Sequence, residues 1–324
     1  MGKYKLKKGL TDKRKFIEDE FKKFVLEGRV EFITFHPSYS YEEFVEGITV
    51  ETEEEGENEN RVSYKLKPGV FKRLCSRALN NVLVNNGIVL NVDLEKKCWK
   101  KLYEKYIENE KEIDWKKSDI YVIVIDEINR GEVSRILGEL ITLIETDKRL
   151  GADNQITATL PYSGDKFGVP KNVFIIGTMN TADRSISLVD TALRRRFDFR
   201  EMPPREDIAL ESYEGSGKGT LLYKSVQALK KINEIILELE FLGKDKRIGH
   251  SFFFKGTEMD DNDIYNSWTR EIFPLLEEYF YERFELLQKT MGLGDSVIDP
   301  HKGFKKSRDS VDELLDKFSA ESNV

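Results

Sequence analysis

The chain has 324 residues, 39% of them hydrophobic and 34% charged, and a formal net charge of −7; it is long enough for two domains of ordinary size and reads as globular. The acid excess argues against wrapping nucleic acid with the whole surface, so any DNA contact is expected to be local or indirect. No apolar run approaches a bilayer span, basic Met1–Leu10 has no apolar segment behind it, and Cys75 and Cys98 suit neither a disulfide framework nor a zinc site, so a cytoplasmic protein with two ordinary thiols and no membrane partner is expected.

Phe16, Ile17, Phe21, Phe24 and Val25 recur near helical spacing in Thr11–Glu27, with Gly28 as a C-cap. Val30–Phe35 is β-branched and aromatic and ends at His36-Pro37, because the residue before proline is pushed out of the α region. Thr34–Gly47 is dense in aromatics and hydroxyls for a surface connection; by spacing alone, the plainer role for each of Tyr39, Tyr41 and Phe44 is as a wedge in a small core. Glu51–Asn60 is an acidic low-complexity run expected to form a mobile loop. Pro68–Leu79 and Trp99–Ile107 read as helices, with turns signalled between Asn80 and Asn91.

Tyr121-Val-Ile-Val-Ile-Asp-Glu-Ile-Asn-Arg130 is an apolar run that stops at two carboxylates. A run without alternation predicts a parallel strand covered on both faces, with Asp126 and Glu127 at its carboxyl edge, where open α/β sheets bind ligands. The pattern resembles a Walker B motif; a strand ending in a solvated Asp-Glu is the plainer alternative. Val133–Ile144 follows at helical spacing, Leu150–Pro170 carries hairpin signals, and Val173–Asn180 reads as a second buried strand beside Tyr121–Ile125. Ile186, Val189 and Leu193 share a helical face that ends in Arg194–Arg196, a cluster that the helix dipole and solvation would explain alone. A short strand is expected at Phe197–Arg200. The chain is expected to divide into an α/β core over 1–203, a helical domain over 204–293 with helices at Leu221–Leu242 and Ile264–Gln288, and a polar tail over 294–324, disordered or weakly helical at Asp312–Phe318.

Several separated strings resemble the McrB family of AAA+ restriction GTPases: Thr34–Gly47, Val124–Arg130, Leu160–Ser163, Gly177–Ser185 with its Met-Asn-x-x-Asp-Arg-Ser, Leu188–Phe197, Ile248–Phe253 and Pro274–Phe280. The resemblance implies an α/β fold with a parallel sheet, flanking helices and a smaller C-terminal helical domain. It further implies that Asp126 contacts Mg²⁺, that Glu127 prepares the water attacking GTP or ATP, and that Asn180 is a sensor amide. Asp183 and Arg184 are implied to belong to the nucleotide site, and Arg130 to be an electrostatic partner near a subunit boundary. Arg195 and Arg196 resemble an arginine finger reaching a neighbouring subunit, and the resemblance implies a hexameric ring and a McrC-type nuclease partner that couples hydrolysis to DNA cleavage.

Two departures from the family pattern stand out. No Gly-x-x-x-x-Gly-Lys-Ser/Thr precedes the Thr34 strand, and Gly215-Ser-Gly-Lys-Gly-Thr220 lacks the spacing and follows no strand. The family's N-terminal DNA-reading domain is also absent, so the expectation is a family member cut at its N-terminus and inactive alone, with Lys3–Leu6 partly filling the place of the missing strand. The rival readings are a non-catalytic assembly subunit and a MoxR-like remodelling ATPase.

Overall fold

The computed structural model describes residues 2–54, 60–96, 98–181 and 191–321. The chain forms two compact units: Asp19–Phe199, and Met1–Glu18 together with Arg200–Val324. The break at Phe199 lies close to the expected boundary at 203, but the first residues of the chain belong with the second unit.

Strand β1 (Lys3–Leu6) and helix α1 (Lys8–Leu26) open the chain. Helix α1 ends as its pattern predicts: Gly28 takes φ 68°, its N–H returns to the Val25 carbonyl, and that of Arg29 returns to Phe24. The α/β unit then runs β2 (Val30–Thr34), α2 (Tyr41–Phe44), β3 (Glu46–Glu54), β4 (Asn60–Pro68), α3 (Val70–Asn85), α4 (Trp99–Asn109), β5 (Tyr121–Asp126), α5 (Val133–Leu137) and α6 (Leu140–Leu143). It closes with β6 (Ala158–Thr159), β7 (Lys166–Phe167), β8 (Val173–Gly177) and α7 (Thr191–Arg194). Strands β2, β5 and β8 form a parallel sheet in that order, in register Thr34 to Asp126 and Ile125 to Gly177.

One face of this sheet, with Tyr121, Ile123, Ile125 and Val173, is buried against α3, whose Phe71, Leu74, Cys75, Ala78 and Leu79 point into the core. The other face is not covered as expected: Phe32, Phe174 and Ile176 are exposed, and Val122 and Val124 only half-buried. An uninterrupted apolar run cannot by itself tell one covered face from two. Helix α3 also runs past the expected turn at Asn80-Asn81 to Asn85. Buried Val82 and Leu83 carry it on, and the turn falls at Asn86-Gly87, where Gly87 adopts φ 84°. The expected mobile loop is in part ladder, because Glu51–Glu54 pair with Asn60–Ser63 in the long β3–β4 hairpin, while 55–59 lie outside the described residues. Phe197–Arg200 is not a strand; no neighbouring strand supplies it with partners among the described residues.

The second unit contains α8 (Ile208–Ser212), β9 (Tyr213–Glu214), α9 (Leu221–Glu238), β10 (Glu258–Asp260), α10 (Asp261–Asn266), α11 (Phe273–Tyr279), α12 (Phe284–Met291), the short pair β11 (Ile298–Asp299) and β12 (Gly303–Phe304), and α13 (Arg308–Glu321). Strand β1 is the middle strand of an antiparallel sheet in order β10-β1-β9, with Tyr4 and Leu6 turned into the core, so Lys3–Leu6 does not extend the parallel sheet. The expected single helix over 264–288 is divided. Pro274 offers no N–H to the carbonyl four residues back, and the preceding turn Ser267–Ile272 widens to a π-helix. The expected polar tail is instead core: Val297, Ile298, Phe304, Val311, Leu314, Leu315 and Phe318 are buried, and α13 packs on α9. Among the described residues no helix is long and apolar enough to cross a membrane.

A buried charge cluster ties the root of the β3–β4 hairpin to the turn of the β6–β7 hairpin. Lys72 on α3 donates to Glu46 Oε2 at 2.6 Å, Asp165 Oδ2 at 3.2 Å and Ser163 Oγ at 3.4 Å; all three charged side chains are almost fully buried. Glu46 Oε1 also accepts the N–H groups of Tyr162 and Ser163, at 3.2 and 2.8 Å. Removing one partner of such a cluster strands the others in a medium that solvates them poorly. Lys72→Met should therefore lower the free energy of unfolding by about 3–5 kcal/mol. Urea denaturation checks this, and a loss below about 1 kcal/mol, the scale of an exposed pair, would show that the cluster is solvated.

Candidate functional site

The carboxyl edge of the parallel sheet gathers the acids and the amide singled out from sequence. Asp126 is the last residue of β5 and its carbonyl accepts the Phe35 N–H at 2.9 Å, while Thr178, just past β8, returns its N–H to Ile125 at 2.9 Å. The Thr178 hydroxyl donates to Asp126 Oδ1 at 2.5 Å and accepts the Glu127 N–H at 3.2 Å. One hydroxyl therefore ties both acids to the neighbouring strand. Among the described residues Asp126 Oδ2 accepts no hydrogen bond and faces no positive side chain.

Glu127 sits at φ 53°, ψ 45°, a left-handed conformation that a side chain with a Cβ adopts at a cost of about 1–2 kcal/mol. The turn is held by its surroundings: Ile128 N–H reaches Thr178 O and Arg130 N–H reaches Glu127 O, both at 2.9 Å. Arg130 returns over the carboxylate, with Nε 3.1 Å from Oε2 and Nη2 donating to Oε1 at 3.3 Å. The Oε2 contact is an ion pair rather than an aligned hydrogen bond. Gly131 keeps the turn close to the sheet, because a Cβ there would lie 2.8 Å from Ile136 Cδ1 and 3.0 Å from the Phe35 ring.

Asn129 is buried, its Nδ2 donates to the backbone carbonyl of Asn180 at 3.3 Å, and its Oδ1 has no hydrogen-bond partner. The side chain thus joins the turn after the acids to the loop after β8. Asn180 itself is exposed. Asp183 and Arg184 lie outside the described residues. Arg195 is exposed; Arg196 is three-quarters or more buried and paired with Glu145 at 2.8 Å, and the Arg194 guanidinium lies over the Phe199 ring at 5.5 Å. Glu145 is fixed from behind by buried Arg149, which donates twice to the Ile144 carbonyl, at 3.0 and 2.8 Å, and to Val173 O at 2.5 Å.

The segment before the edge is braced on all sides. Ser40 caps α2 with a reciprocal Glu43 bond, Phe35 stacks on Tyr39 at 4.9 Å, Tyr41 donates to Glu139 at 2.6 Å, and Tyr162 donates to Glu42 at 2.5 Å. Burial, and next the Glu139 bond, push the Tyr41 phenol far above its ordinary range; burial pushes Tyr39 up to about 12. Both stay protonated, and Tyr41 keeps its donor bond to Glu139. Sequence reasoning had missed Thr178, Asn129 and Glu145 as working residues. Only the position of Thr178 at a strand end opposite the acids could have pointed to it.

No group of three or more His, Cys, Asp or Glu side chains that could hold a metal exists among the described residues. The oxygen donors present fit Mg²⁺ nonetheless. That ion keeps several waters and binds through one or two carboxylates with substrate phosphates, and an open Asp126 oxygen meets this requirement.

Comparison with known proteins agrees with this arrangement. The profile described as AAA domain (dynein-related subfamily) matches residues 13–197, and the profile described as McrB, alpha-helical lid domain, matches residues 224–288. The type IV methyl-directed restriction enzyme EcoKMcrB subunit of Escherichia coli (strain K12) is 35% identical over 280 residues, which cover 83% of this chain and 51% of that protein. The type II restriction enzyme BsuMI component YdiS of Bacillus subtilis (strain 168) is 24% identical over 306 residues, 83% of this chain and 76% of that protein. The chain thus spans about half the length of the E. coli relative. With a domain profile covering more than half of its residues, a lid profile following it and a three-stranded parallel sheet bearing acids at its carboxyl edge, the chain belongs to the AAA domain family, as an McrB-like AAA+ module.

Proposed function

We propose that the module, once joined to a phosphate-binding loop that these residues do not contain, hydrolyses a nucleoside triphosphate, GTP in preference to ATP, as the motor of a modification-dependent restriction system, assembled as a ring, hexameric in the family pattern, and acting with a McrC-like nuclease subunit. The observation that carries this reading is the Thr178 hydroxyl, which holds the Asp126 carboxylate and the Glu127 backbone side by side at the strand edge. Mg²⁺, when bound with a triphosphate, neutralises charge on the phosphate oxygens. Asp126 Oδ2 would hold it. Glu127 would orient a water and accept its proton once Arg130 yields its oxygens, and Asn180, steadied through Asn129, would donate to the γ-phosphate or to that water. Exposed Arg195 suits the part of an arginine offered to a neighbouring subunit, and Arg196, anchored on Glu145, suits the part of its brace.

The 324 residues contain no Gly-x-x-x-x-Gly-Lys-Ser/Thr string, so nothing in them supplies the nest of N–H groups and the lysine that offset desolvation of a triphosphate. The chain by itself is therefore expected neither to bind nor to hydrolyse GTP or ATP. Titration with fluorescent GTP and ATP analogues in Mg²⁺, with phosphate release followed in parallel, checks this; saturable micromolar binding with turnover would refute it.

In a chimera supplied with a phosphate-binding loop, Glu127→Gln should keep nucleotide binding while turnover falls by about two to four orders of magnitude, and Asp126→Ala should weaken Mg²⁺-dependent binding itself. Near-normal turnover of the Glu127→Gln chimera would take Glu127 out of the reaction. Mixing Arg195→Ala chimeras with Glu127→Gln chimeras should restore activity that neither has alone, since some interfaces then join an intact arginine to an intact acid. Co-assembled mixtures that stay inactive at every ratio would assign the arginines to charge balance within their own subunit.

A further inference from the structure

Between α7 and α8 the chain runs through Phe197–Asp207 without regular structure, yet it is fastened at both ends. On the side of the α/β unit, Arg196 is paired with Glu145 at 2.8 Å and Phe197 packs against the core. On the side of the lid unit, α9 and the loop after it hold four of the seven residues Glu201–Asp207. Glu201 accepts from Lys244 at 3.1 Å and from Arg247 at 3.3 Å, and the Arg205 N–H donates to His250 Nδ1 at 3.1 Å. Glu206 accepts from Asn233 Nδ2 at 2.6 Å, and Asp207 pairs with Lys230 at 2.6 Å. Pro203-Pro204, between these ties, stiffens the segment by fixing φ.

The buried amide of Asn233 is itself fixed from within the lid unit, accepting the Ile248 N–H at 2.7 Å and donating to Ile248 O at 3.0 Å. One side chain thus sets both the linker and the start of the Ile248–Phe253 string, whose His250 makes the neighbouring tie. The four peptide steps from Phe197 to Glu201 span at most about 14 Å, so this connection passes movement on instead of absorbing it. The chain crosses between the two units here and within helix α1, and this is the crossing that adjoins Arg195. We propose that Glu201–Asp207 is a strap of the lid unit that couples movement of the lid to Arg195, the arginine offered to a neighbouring subunit. The inference rests on that reading of Arg195, but its test needs no nucleotide and no second subunit, so the two fail separately.

The test places a nitroxide on Arg195→Cys, with a second label on Lys101→Cys of α4 as control; Cys75 and Cys98 are buried, and labelling of the unsubstituted chain gives their background. Glu201→Lys sets like charges against Lys244 and Arg247, and should narrow the electron paramagnetic resonance line shape at 195 while leaving that at 101 unchanged. Adding Lys244→Glu and Arg247→Glu restores the pairs with opposite sign and should return the original line shape. Glu201 and Lys244 are exposed, so circular dichroism should not change. His250→Ala should quicken hydrogen exchange at the Arg205 amide about fivefold, the loss of one ordinary hydrogen bond. A line shape at 195 that ignores Glu201→Lys, or that the reversed pairs do not restore, would overturn the proposal. So would an equal change at 101, which would make the effect a general loosening of the chain.

Discussion

The acid-bearing edge depends on a constraint of parallel sheets: every strand ends on the same side, so groups that could not be buried within the strands can be collected just beyond them. Strands β2, β5 and β8 obey it, with Thr34 ending opposite Asp126 and Gly177 opposite Ile125. The Thr178 hydroxyl converts that alignment into chemistry by bonding Asp126 and the Glu127 backbone at once. That bond, with the Ile128 N–H on Thr178 O and the Arg130 N–H on Glu127 O, offsets the backbone cost of the left-handed Glu127.

Charged pairs in the molecule divide by burial rather than by number. Arg135 with Glu132, or Lys5 with Glu258, sit in water and contribute at most about 1 kcal/mol each. Lys72 with Glu46 and Asp165 lies in the interior and cannot lose a member cheaply. That difference makes the segment Ser40–Glu46 a junction: Tyr41 reaches the helix region after the acids through Glu139, Glu42 holds Tyr162, and Glu46 holds both hairpins.

The lid unit was the least legible part of the chain. Its central strand is only Lys3–Leu6, four residues with alternation too short to register, and the partners β9 and β10 lie more than two hundred residues away. Residues 294–321 looked polar because their apolar residues are spread among charges. Val311, Leu314, Leu315 and Phe318 form a stripe that means little until α9 is there to receive it.

The sequence by itself determined the local facts. Apolar runs mark the strands, a glycine ends α1, adjacent acids close β5, and ordered strings place the chain near a family. These depend on residues close together in the chain, where spacing and backbone chemistry suffice. Which face of the sheet is covered, that Arg196 is spent on Glu145 while Arg195 stands open, that Thr178 and Asn129 serve the acids, and that the first strand belongs with the last helices were decided only by tertiary structure. Each needs two segments far apart in sequence to meet, and a hydrogen bond or a buried charge pair is specified by the position of its partner, which no periodicity in one segment contains.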